Sequence, residues 1–233
     1  MKLSRRLLMV ASLVPADAAS LADIGAYDGH LALFLKRERP SLRVIASDRS
    51  PEILRRGPSL ARKLGIEGVE WRQGEGLSVL RPGDVEGVIL AGLGGQTIAQ
   101  ILEEGKKVFK NLRWVVAQPM RGDGHLRRFF WRQGWHLWQE DLVQEKGRYY
   151  VAMAVGRERG LWEGSWPSRE EDPLFDLGPF LYARAHPLLK GYGERTLFRR
   201  GGRRILPLEK ELQRRRGGNG DGCLRSGPLE DPS

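Results

Sequence analysis

Cysteine is nearly absent from this chain of 233 residues, in which Cys223 is the only one. A single cysteine excludes an intrachain disulfide and a metal site built from several thiolates, and it is typical of the reducing cytosol, so we expect a cytoplasmic protein. The four histidines are scattered and indicate no metal site. No apolar run approaches the roughly 20 residues of a membrane-spanning helix, so we expect neither a metal nor a membrane as a partner.

Acidic residues are too few to balance the basic ones. The chain has 39 Lys and Arg against 29 Asp and Glu, which gives a formal net charge of +10. This balance favours a polyanionic partner, although a basic enzyme with no such partner is the alternative. Much of the excess lies in residues 195–216, which hold nine basic side chains against two acidic ones.

The N-terminus has some features of a secretory signal, because Arg5 and Arg6 precede an apolar stretch. Pro15 and Asp17 cut that stretch short, and an apolar segment typical of a core strand follows at once. We therefore predict an amphipathic helix over residues 2–13 instead. Its inward side chains would be Leu3, Leu7, Val10 and Ala11.

Short apolar segments alternate with helical ones in the first half of the chain, which predicts parallel strands with helices on both faces of the sheet. The last two strands are separated by a connection of hairpin length, so they should be antiparallel. The predicted strands are Ser20–Gly25, Arg43–Asp48, Val69–Gly74, Val85–Gly92, Arg113–Pro119, Trp135–Glu145 and Arg148–Val155, and the predicted helices cover 29–39, 51–64, 95–109 and 123–134.

The composition changes after Gly156, where Gly, Pro, Trp and acidic residues become frequent. We predict an α/β domain over residues 1–158 and a linker over 159–178. A short, basic helical appendage would follow at 179–216. The Gly-, Pro- and Ser-rich tail at 217–233 should be disordered.

A first candidate ligand turn, ADIGAYDG at residues 22–29, follows the first strand and opens a helix. Small residues there let the backbone approach a ligand closely. The spacing is not the G-x-G-x-x-G of dinucleotide sites. An acidic residue two places before the first glycine is typical of S-adenosylmethionine sites, so the cofactor candidates are Asp23, Gly25, Ala26 and Gly29. A glycine-containing turn without a ligand is the alternative.

Asp48 ends the second strand, where a carboxylate can accept hydrogen bonds from two ribose hydroxyls. Arg49 follows it and could bind the 2′-phosphate of NADP. An NADP-dependent oxidoreductase is therefore a rival hypothesis. The alternative for Asp48 is capping of the next helix, which starts near Pro51.

The third and fourth strands end in glycine-rich turns. The third strand is followed by Gly74, Glu75 and Gly76. The Glu75 carboxylate can accept a hydrogen bond from an adenine amino group, although a simple loop is the alternative. The fourth strand ends in Gly92, Leu93 and Gly94, which leave the site open to a flat base. Doubly wound sheets bind ligands at these carboxyl ends, so the joint placement favours a single cofactor site.

At this point the sequence closely resembles the bacterial tRNA (adenine-22-N1)-methyltransferase family. The resemblance implies a Rossmann-like, seven-stranded methyltransferase sheet with an antiparallel C-terminal hairpin, and a helical appendage that helps to hold tRNA. It also implies S-adenosylmethionine as cofactor and methylation of adenine N1 in the D-loop region. The matching segments are LSRRL at 3–7, ADIG at 22–25, RQGEGL at 72–77, LAGLGG at 90–95, QP at 118–119, Glu140 with the 145–149 region, and LGPFL at 177–181.

Two departures affect the catalytic residues. Relatives usually have Ser-Asp-His after the first glycine, where this chain has Ala26, Tyr27 and Asp28, and Met120 replaces an Asn after Gln-Pro. Adenine N1 carries a lone pair, so positioning would be the main contribution of the protein, with a carboxylate to stabilise the growing positive charge. Asp28 is the candidate, with helix capping as its alternative, while Tyr27 would stack on a base that has left its own stack. Gln118 and Pro119 complete the catalytic set.

Arginines are the candidates for contacts with RNA phosphates, and such contacts make affinity depend strongly on salt. A solvated basic surface is the alternative. We expect a monomer that binds tRNA; the rival functions are an RNA-binding protein of the same fold with impaired catalysis and an NAD(P)-dependent oxidoreductase. The candidates for phosphate contacts are Arg5, Arg6, Arg127, Arg128, Arg199, Arg200, Arg203 and Arg204.

Overall fold

The computed structural model describes residues 2–160 and 166–198. The described residues up to Tyr192 belong to one compact unit, and the last described residues, 193–198, belong to a second. The strands are β1 (Ser20–Ile24), β2 (Arg43–Asp48), β3 (Val69–Gln73), β4 (Gly87–Leu93), β5 (Trp114–Pro119), β6 (His136–Glu145) and β7 (Arg148–Gly156). The helices are α1 (Arg5–Ser12), α2 (His30–Glu38), α3 (Ile53–Leu64), α4 (Gly95–Glu104), α5 (Lys106–Phe109), α6 (Asp123–Arg132), α7 (Leu174–Leu177), α8 (Pro179–Ala183) and α9 (Leu189–Phe198), and a 3-10 turn covers Gly76–Val79.

The seven strands form a single sheet in the order β3-β2-β1-β4-β5-β7-β6. The first five strands pair in parallel, while β7 pairs antiparallel with both β5 and β6. The predicted α/β class and the C-terminal hairpin are therefore confirmed. The strand order reverses between β1 and β4, and sheets of this type bind their ligands at that reversal, outside the carboxyl ends of the strands.

Helices cover both faces of the sheet, which is why the central strands are apolar almost throughout. Every residue of β5 is buried, whereas β3, at one edge, is partly exposed. The consecutive residues Ile89 and Leu90 of β4 belong to opposite layers of the core. One layer holds Ile98 and Phe130, and the other holds Val10 and Leu35 together with much of α2.

The predicted N-terminal helix is present as α1, which starts where the Ser4 hydroxyl accepts a hydrogen bond from the Leu7 amide. Leu3 and Val10 are buried as predicted, and Met9 is buried with them. The helix packs against β6 and β7, far from it in sequence. None of the helices within the described ranges has the length and apolar character that crossing a membrane requires.

The helix predicted over residues 95–109 is interrupted at Gly105, so α4 and α5 are separate. A Cβ atom on Gly105 would overlap the side chain of Leu77. The glycine therefore lets the 3-10 turn that contains Leu77 approach this helix end closely. The approach depends on a residue from another part of the chain, so helical periodicity alone does not reveal the break.

The described residues from 166 to 192 pack on the sheet unit. The Trp166 indole donates a hydrogen bond of 2.6 Å to the carbonyl of Trp135 and stacks on Phe175 at a centroid distance of 5.9 Å. The Tyr192 hydroxyl donates to the Asp123 carboxylate at the start of α6. The domain boundaries drawn from the sequence stay predictions, and most of 195–216 and all of 217–233 lie outside the described residues.

Candidate functional site

The turn between β1 and α2 wraps closely around the end of β2. The amides of Gly25 and Ala26 both donate to the Ser47 carbonyl at 2.8 Å, and Gly25 has a φ of +78°, which favours glycine. These bonds fix the turn over the carboxyl end of the sheet. The turn thus lies where the sequence placed a cofactor site.

Gly29, at the end of this turn, has a packing role that the sequence did not reveal. A Cβ atom on Gly29 or on Gly57 of α3 would overlap the indole ring of Trp71, which projects from β3. The two glycines therefore let the starts of α2 and α3 close around one large side chain. Nothing in the local pattern around Trp71 predicts this arrangement, because its partners lie in two other elements.

Asp48 joins three turns at the end of β2. One carboxylate oxygen, Oδ2, accepts the Tyr27 amide at 2.9 Å, and the other, Oδ1, accepts the Ser50 amide at 2.9 Å. Its own carbonyl accepts the Gly74 amide at 3.0 Å. Helix α3 begins later, at Ile53, so Asp48 holds the loop before the helix and does not cap its first turn. Arg49, the next residue, is exposed.

Asp23 is the buried carboxyl group beneath the turn, with only 3% of its surface exposed. Burial raises the pKa of Asp23 to about 7, and the neighbouring carboxylates of Asp48 and Asp28 act in the same direction, while a backbone hydrogen bond from Ala32 opposes them. The side chain therefore titrates near neutral pH. A carboxyl group with this pKa can either donate or accept a hydrogen bond at the floor of the site.

Tyr27 stands at the rim of the turn, with 64% of its surface exposed. Its φ of +57° is rare for an aromatic residue and marks local backbone strain. Arg56 of α3 donates to the Tyr27 hydroxyl at 3.1 Å and lies 5.7 Å from the ring centroid, and Glu52 binds the same guanidinium at 2.7 Å. The ring is therefore held in place while one of its surfaces meets solvent.

Asp28, the next residue, is partly exposed and contacts His30. One carboxylate oxygen lies 2.6 Å from the His30 Nδ1 and 3.4 Å from its backbone amide. Both contacts tie the carboxylate to the start of α2. The geometry accordingly agrees with the capping alternative and still leaves the group beside Tyr27.

The end of β4 faces this turn across the reversal point. Gly92 is exposed, has a φ of +81° and lies where the β4–β5 pairing shifts register. The Leu93 side chain would lie 3.8 Å from a Cβ on Gly25, so the ends of β1 and β4 are in contact range. Gly94 precedes α4, and a Cβ on Gly95 would overlap the carbonyl of Gly122. Gly95 is thus required by packing.

Gln118 and Pro119 end β5, and both are buried. The Gln118 Oε1 accepts a hydrogen bond of 2.6 Å from Arg6 Nη1, and its Nε2 donates to the Pro119 carbonyl at 2.8 Å. The adjacent Met120 is 45% exposed. At the end of β5, the carboxamide of Gln118 is therefore held in place by Arg6 of the N-terminal helix.

The end of β3 completes the edge. Glu75 is exposed after Gly74, and Gly76 adopts a φ of +53° as it starts the 3-10 turn. Arg72 holds this loop, because it donates to the Val79 carbonyl at 2.6 Å and to Asp84 at 2.9 Å. The predicted cofactor residues thus lie at the carboxyl ends of β1, β2, β3 and β4, with Asp23 buried beneath the first turn.

The predicted phosphate contacts fare differently. Arg127 is a wrong prediction: its side chain is fully buried, with Nε donating to Glu140 at 2.5 Å and Nη1 to the Phe175 carbonyl at 2.8 Å. Arg128 is partly buried and pairs with Asp176 at 2.9 Å, whereas Arg5 is exposed. The remaining candidates, Arg199, Arg200, Arg203 and Arg204, lie outside the described residues.

In the part of the chain that the structure describes, no group of three or more His, Cys, Asp and Glu side chains could hold a metal ion. The residues that sequence reasoning missed are Trp71, Arg56 and Glu140. All three act through long-range contacts. Glu140 lies in a segment that the family resemblance included, and that inclusion was the one available signal.

Comparison with known proteins gives consistent matches. A family model described as a methyltransferase domain matches residues 3–153. The tRNA (adenine(22)-N(1))-methyltransferase of Bacillus subtilis is 29% identical over 187 residues, which cover 78% of this chain and 75% of that protein. A protein of Mycoplasma pneumoniae, provisionally named a tRNA methyltransferase, is 30% identical over 160 residues, covering 67% of this chain and 73% of its own.

The fold is also similar to that of a solved structure with a bound molecule. A Streptococcus pneumoniae protein, provisionally named a tRNA (m1A22) methyltransferase, was crystallised in complex with S-adenosyl-L-methionine. It superposes with a TM-score of 0.72 at 25% identity, and the match covers 92% of this chain and 99% of that one.

Proposed function

Since the chain belongs to the tRNA (adenine-22-N1)-methyltransferase family, we propose that it transfers a methyl group from S-adenosylmethionine to N1 of an adenine in the D-loop region of tRNA. The observation that carries the proposal is the meeting of Gly25, Asp48 and Gly92 at the reversal of strand order. The single cysteine and the tRNA substrate support a cytoplasmic location. A monomeric state stays a prediction.

The hydrogen-bond acceptors at this edge of the sheet fit S-adenosylmethionine. A carboxylate has about four lone-pair sites, and each oxygen of Asp48 uses one for a backbone amide, so each oxygen keeps one acceptor site for a ribose hydroxyl. The exposed Glu75 offers an acceptor for an adenine amino group. Gly92 and Gly94 carry no side chain that would cover the edge between these carboxylates and β5.

When bound, S-adenosylmethionine supplies an electrophilic methyl group. The residues of this chain need to bring adenine N1 in line with it, which is a matter of position more than of proton transfer. We assign Gln118 and Pro119 to the floor under the base, and Tyr27, exposed and fixed by Arg56, to stacking. Asp28 remains the candidate for the carboxylate that stabilises positive charge on the methylated ring, held at the start of α2 by His30.

RNA phosphates would meet the exposed Arg5 on α1, with the arginines of residues 199–204 as further candidates. The buried Arg127 has no part in this contact. Arg128 is engaged by Asp176, so a phosphate would have to compete with that carboxylate. Affinity for tRNA should fall as the salt concentration rises.

The deciding experiment is incubation with S-adenosylmethionine and unmodified tRNA, followed by mass-spectrometric mapping of the methylated nucleotide. The expected product carries one methyl group on N1 of the adenine at position 22. The matched control is the same tRNA with guanine at that position, which should stay unmodified. A methyl group mapped to another nucleotide would overturn the assigned target and leave the methyltransferase activity standing.

Related measurements separate the proposed function from two other functions. Retained tRNA binding without methyl incorporation would favour an RNA-binding protein with impaired catalysis, which the unusual Tyr27 makes worth testing. Calorimetry separates the oxidoreductase: we expect binding of S-adenosylhomocysteine and none of NADPH. The reverse result would refute the methyltransferase proposal.

A further inference from the structure

Two consecutive arginines on α1 have unlike surroundings. The side chain of Arg5 is exposed to solvent, whereas Arg6 is half-buried and reaches the end of β5. Arg6 Nη1 donates to Gln118 Oε1 at 2.6 Å, and its guanidinium lies 5.9 Å from the centroid of the Tyr150 ring. Its backbone amide donates to Glu145 at 3.3 Å. Arg6 is therefore fixed on three sides by β5, β6 and β7.

The Arg6 contact determines which way the Gln118 carboxamide faces. A guanidinium can only donate hydrogen bonds, and a backbone carbonyl can only accept them. Since Gln118 lies between Arg6 and the Pro119 carbonyl, its oxygen must point to Arg6 and its nitrogen to Pro119. The nitrogen also lies 4.0 Å from the sulfur of Met120, which is exposed at the strand end.

This contact lies at the open end of the sheet. A Cβ atom on Gly92 would come within 3.5 Å of Arg6 Nη1, so the guanidinium stands beside the end of β4 as well as that of β5. The gap between these two strand ends is where the proposed reaction needs its base. A fully buried amide there has few ways to reorient once its oxygen is bound.

We propose that Arg6 is a positioning residue of the active site, and not a phosphate contact: it holds the Gln118 carboxamide with Oε1 towards α1 and Nε2 towards the end of β5. The inference rests on the proposed function and deepens it. It assigns to α1 the task of ordering the floor on which the target base is placed. Arg5 keeps the role of the phosphate contact.

The first test separates turnover from RNA binding. Arg6→Lys and Arg6→Met should each lower kcat about ten- to hundredfold, the cost of misplacing a group by about 1 Å, with the Kd for tRNA and its salt dependence unchanged. Lysine keeps the charge but not the planar fork of donors, so it should not restore turnover. A phosphate contact would give the opposite pattern, with Arg6→Lys close to the parent and Arg6→Met weaker in tRNA binding; that result overturns the proposal.

Two other arginines serve as controls. Arg5→Gln should raise KM for tRNA and reduce the slope of log affinity against log salt by about one. Arg37→Gln, on the surface of α2, should leave both quantities as in the parent. Melting temperature and calorimetric affinity for S-adenosylhomocysteine are measured for every variant, and Arg6→Lys carries the test if Arg6→Met does not fold.

A double-mutant cycle tests whether Arg6 acts through Gln118. Adding Arg6→Met to Gln118→Met should cause no further loss of kcat, because the group that Arg6 orients is already gone. Losses that multiply would overturn the inference.

A measurement that does not depend on turnover separates the positioning role of Arg6 from the proposed function. In a ¹⁵N spectrum, the side-chain amide resonances of Gln118 should move in Arg6→Lys and stay in place in Arg37→Gln. Unmoved resonances overturn the positioning role whatever the activity, while an inactive parent enzyme with the expected resonances overturns only the proposed function.

Discussion

The two sides of the crevice at the strand ends are built in different ways. On the side formed by β1, β2 and β3, Asp48 holds backbone amides of neighbouring turns, and Gly25 follows β1 directly. On the side formed by β4 and β5, Gln118 is held by Arg6, more than a hundred residues away in the chain. The first side depends on local turns and the second on tertiary contacts, so the two sides should respond differently to substitution.

The largest effect should come from the buried ion pair between Arg127 and Glu140, which joins α6 to β6. Arg127→Met leaves Glu140 charged, buried and unpaired, and should lower the free energy of unfolding by about 3–5 kcal/mol. Arg132→Met, on the same helix, breaks a surface pair and should cost about 0–1 kcal/mol. Urea denaturation measures both. Equal losses would mean that burial of Arg127 does not distinguish the two pairs.

The next effect concerns pH and the β1 side. The pKa of Asp23 is raised to about 7 by burial, so the folded chain without ligand binds one more proton than the unfolded chain between pH 4 and 7. Its contribution to stability is complete below pH 4 and is lost as the pH rises through 7. Asp23→Asn should therefore match the parent near pH 4 and exceed it by a few kcal/mol above pH 7, in melts taken across that range. Asp17→Asn, at an exposed position, should show no such divergence.

A smaller effect should come from the side formed by β1, β2 and β3, where Asp48 would bind the ribose. Asp48→Asn removes a charged acceptor worth about 1.5–3 kcal/mol, so calorimetry should show S-adenosylhomocysteine binding about ten- to hundredfold more weakly. Affinity for tRNA, measured without cofactor, should fall less than affinity for the cofactor, because Asp48 reaches the RNA site only through the backbone amide of Tyr27. If Asp48→Asn weakened tRNA binding as strongly as cofactor binding, the division of the crevice into two sides would be wrong.

The smallest effect should separate strain from stacking at Tyr27. Tyr27→Gly relieves the positive φ but frees the unfolded chain, so stability should change by less than about 1 kcal/mol. KM for tRNA should rise several-fold, because stacking on an aromatic ring is worth about 1–3 kcal/mol. Tyr27→Phe keeps the ring and loses only the bond to Arg56, so its KM should stay near that of the parent.

The sequence predicted the fold because alternation and turn residues are local properties. The strands and the hairpin were predicted within two residues of their ends, and the glycine turns were placed at the correct strand ends. The environment of charged side chains was much harder to predict. Arg127 and Arg128 are adjacent, yet one is fully buried against Glu140 and the other is partly buried against Asp176, because one step along a helix rotates a side chain by about 100°.

The same limit applies at the candidate site. Asp48 and Gly25 could be proposed from the sequence because the roles predicted for them follow from position at a strand end. Trp71 and Arg56 were missed because their partners are distant in sequence. These partners, Gly29 and Tyr27, lie in the turn between β1 and α2. Burial of a polar group such as Gln118 also depends on what the N-terminal helix covers, which the residues around Gln118 do not encode.

The shared use of Asp48 has a consequence for the order of events. The carboxylate that would hold the ribose also holds the amide of Tyr27, so a ligand that orders one orders the backbone under the other. Two binding steps that share a group are linked, and linkage is reciprocal: the factor by which the cofactor tightens RNA binding equals the factor by which RNA tightens cofactor binding. Such coupling favours the ternary complex over either binary one and limits the time that tRNA spends on an enzyme with no methyl group to give.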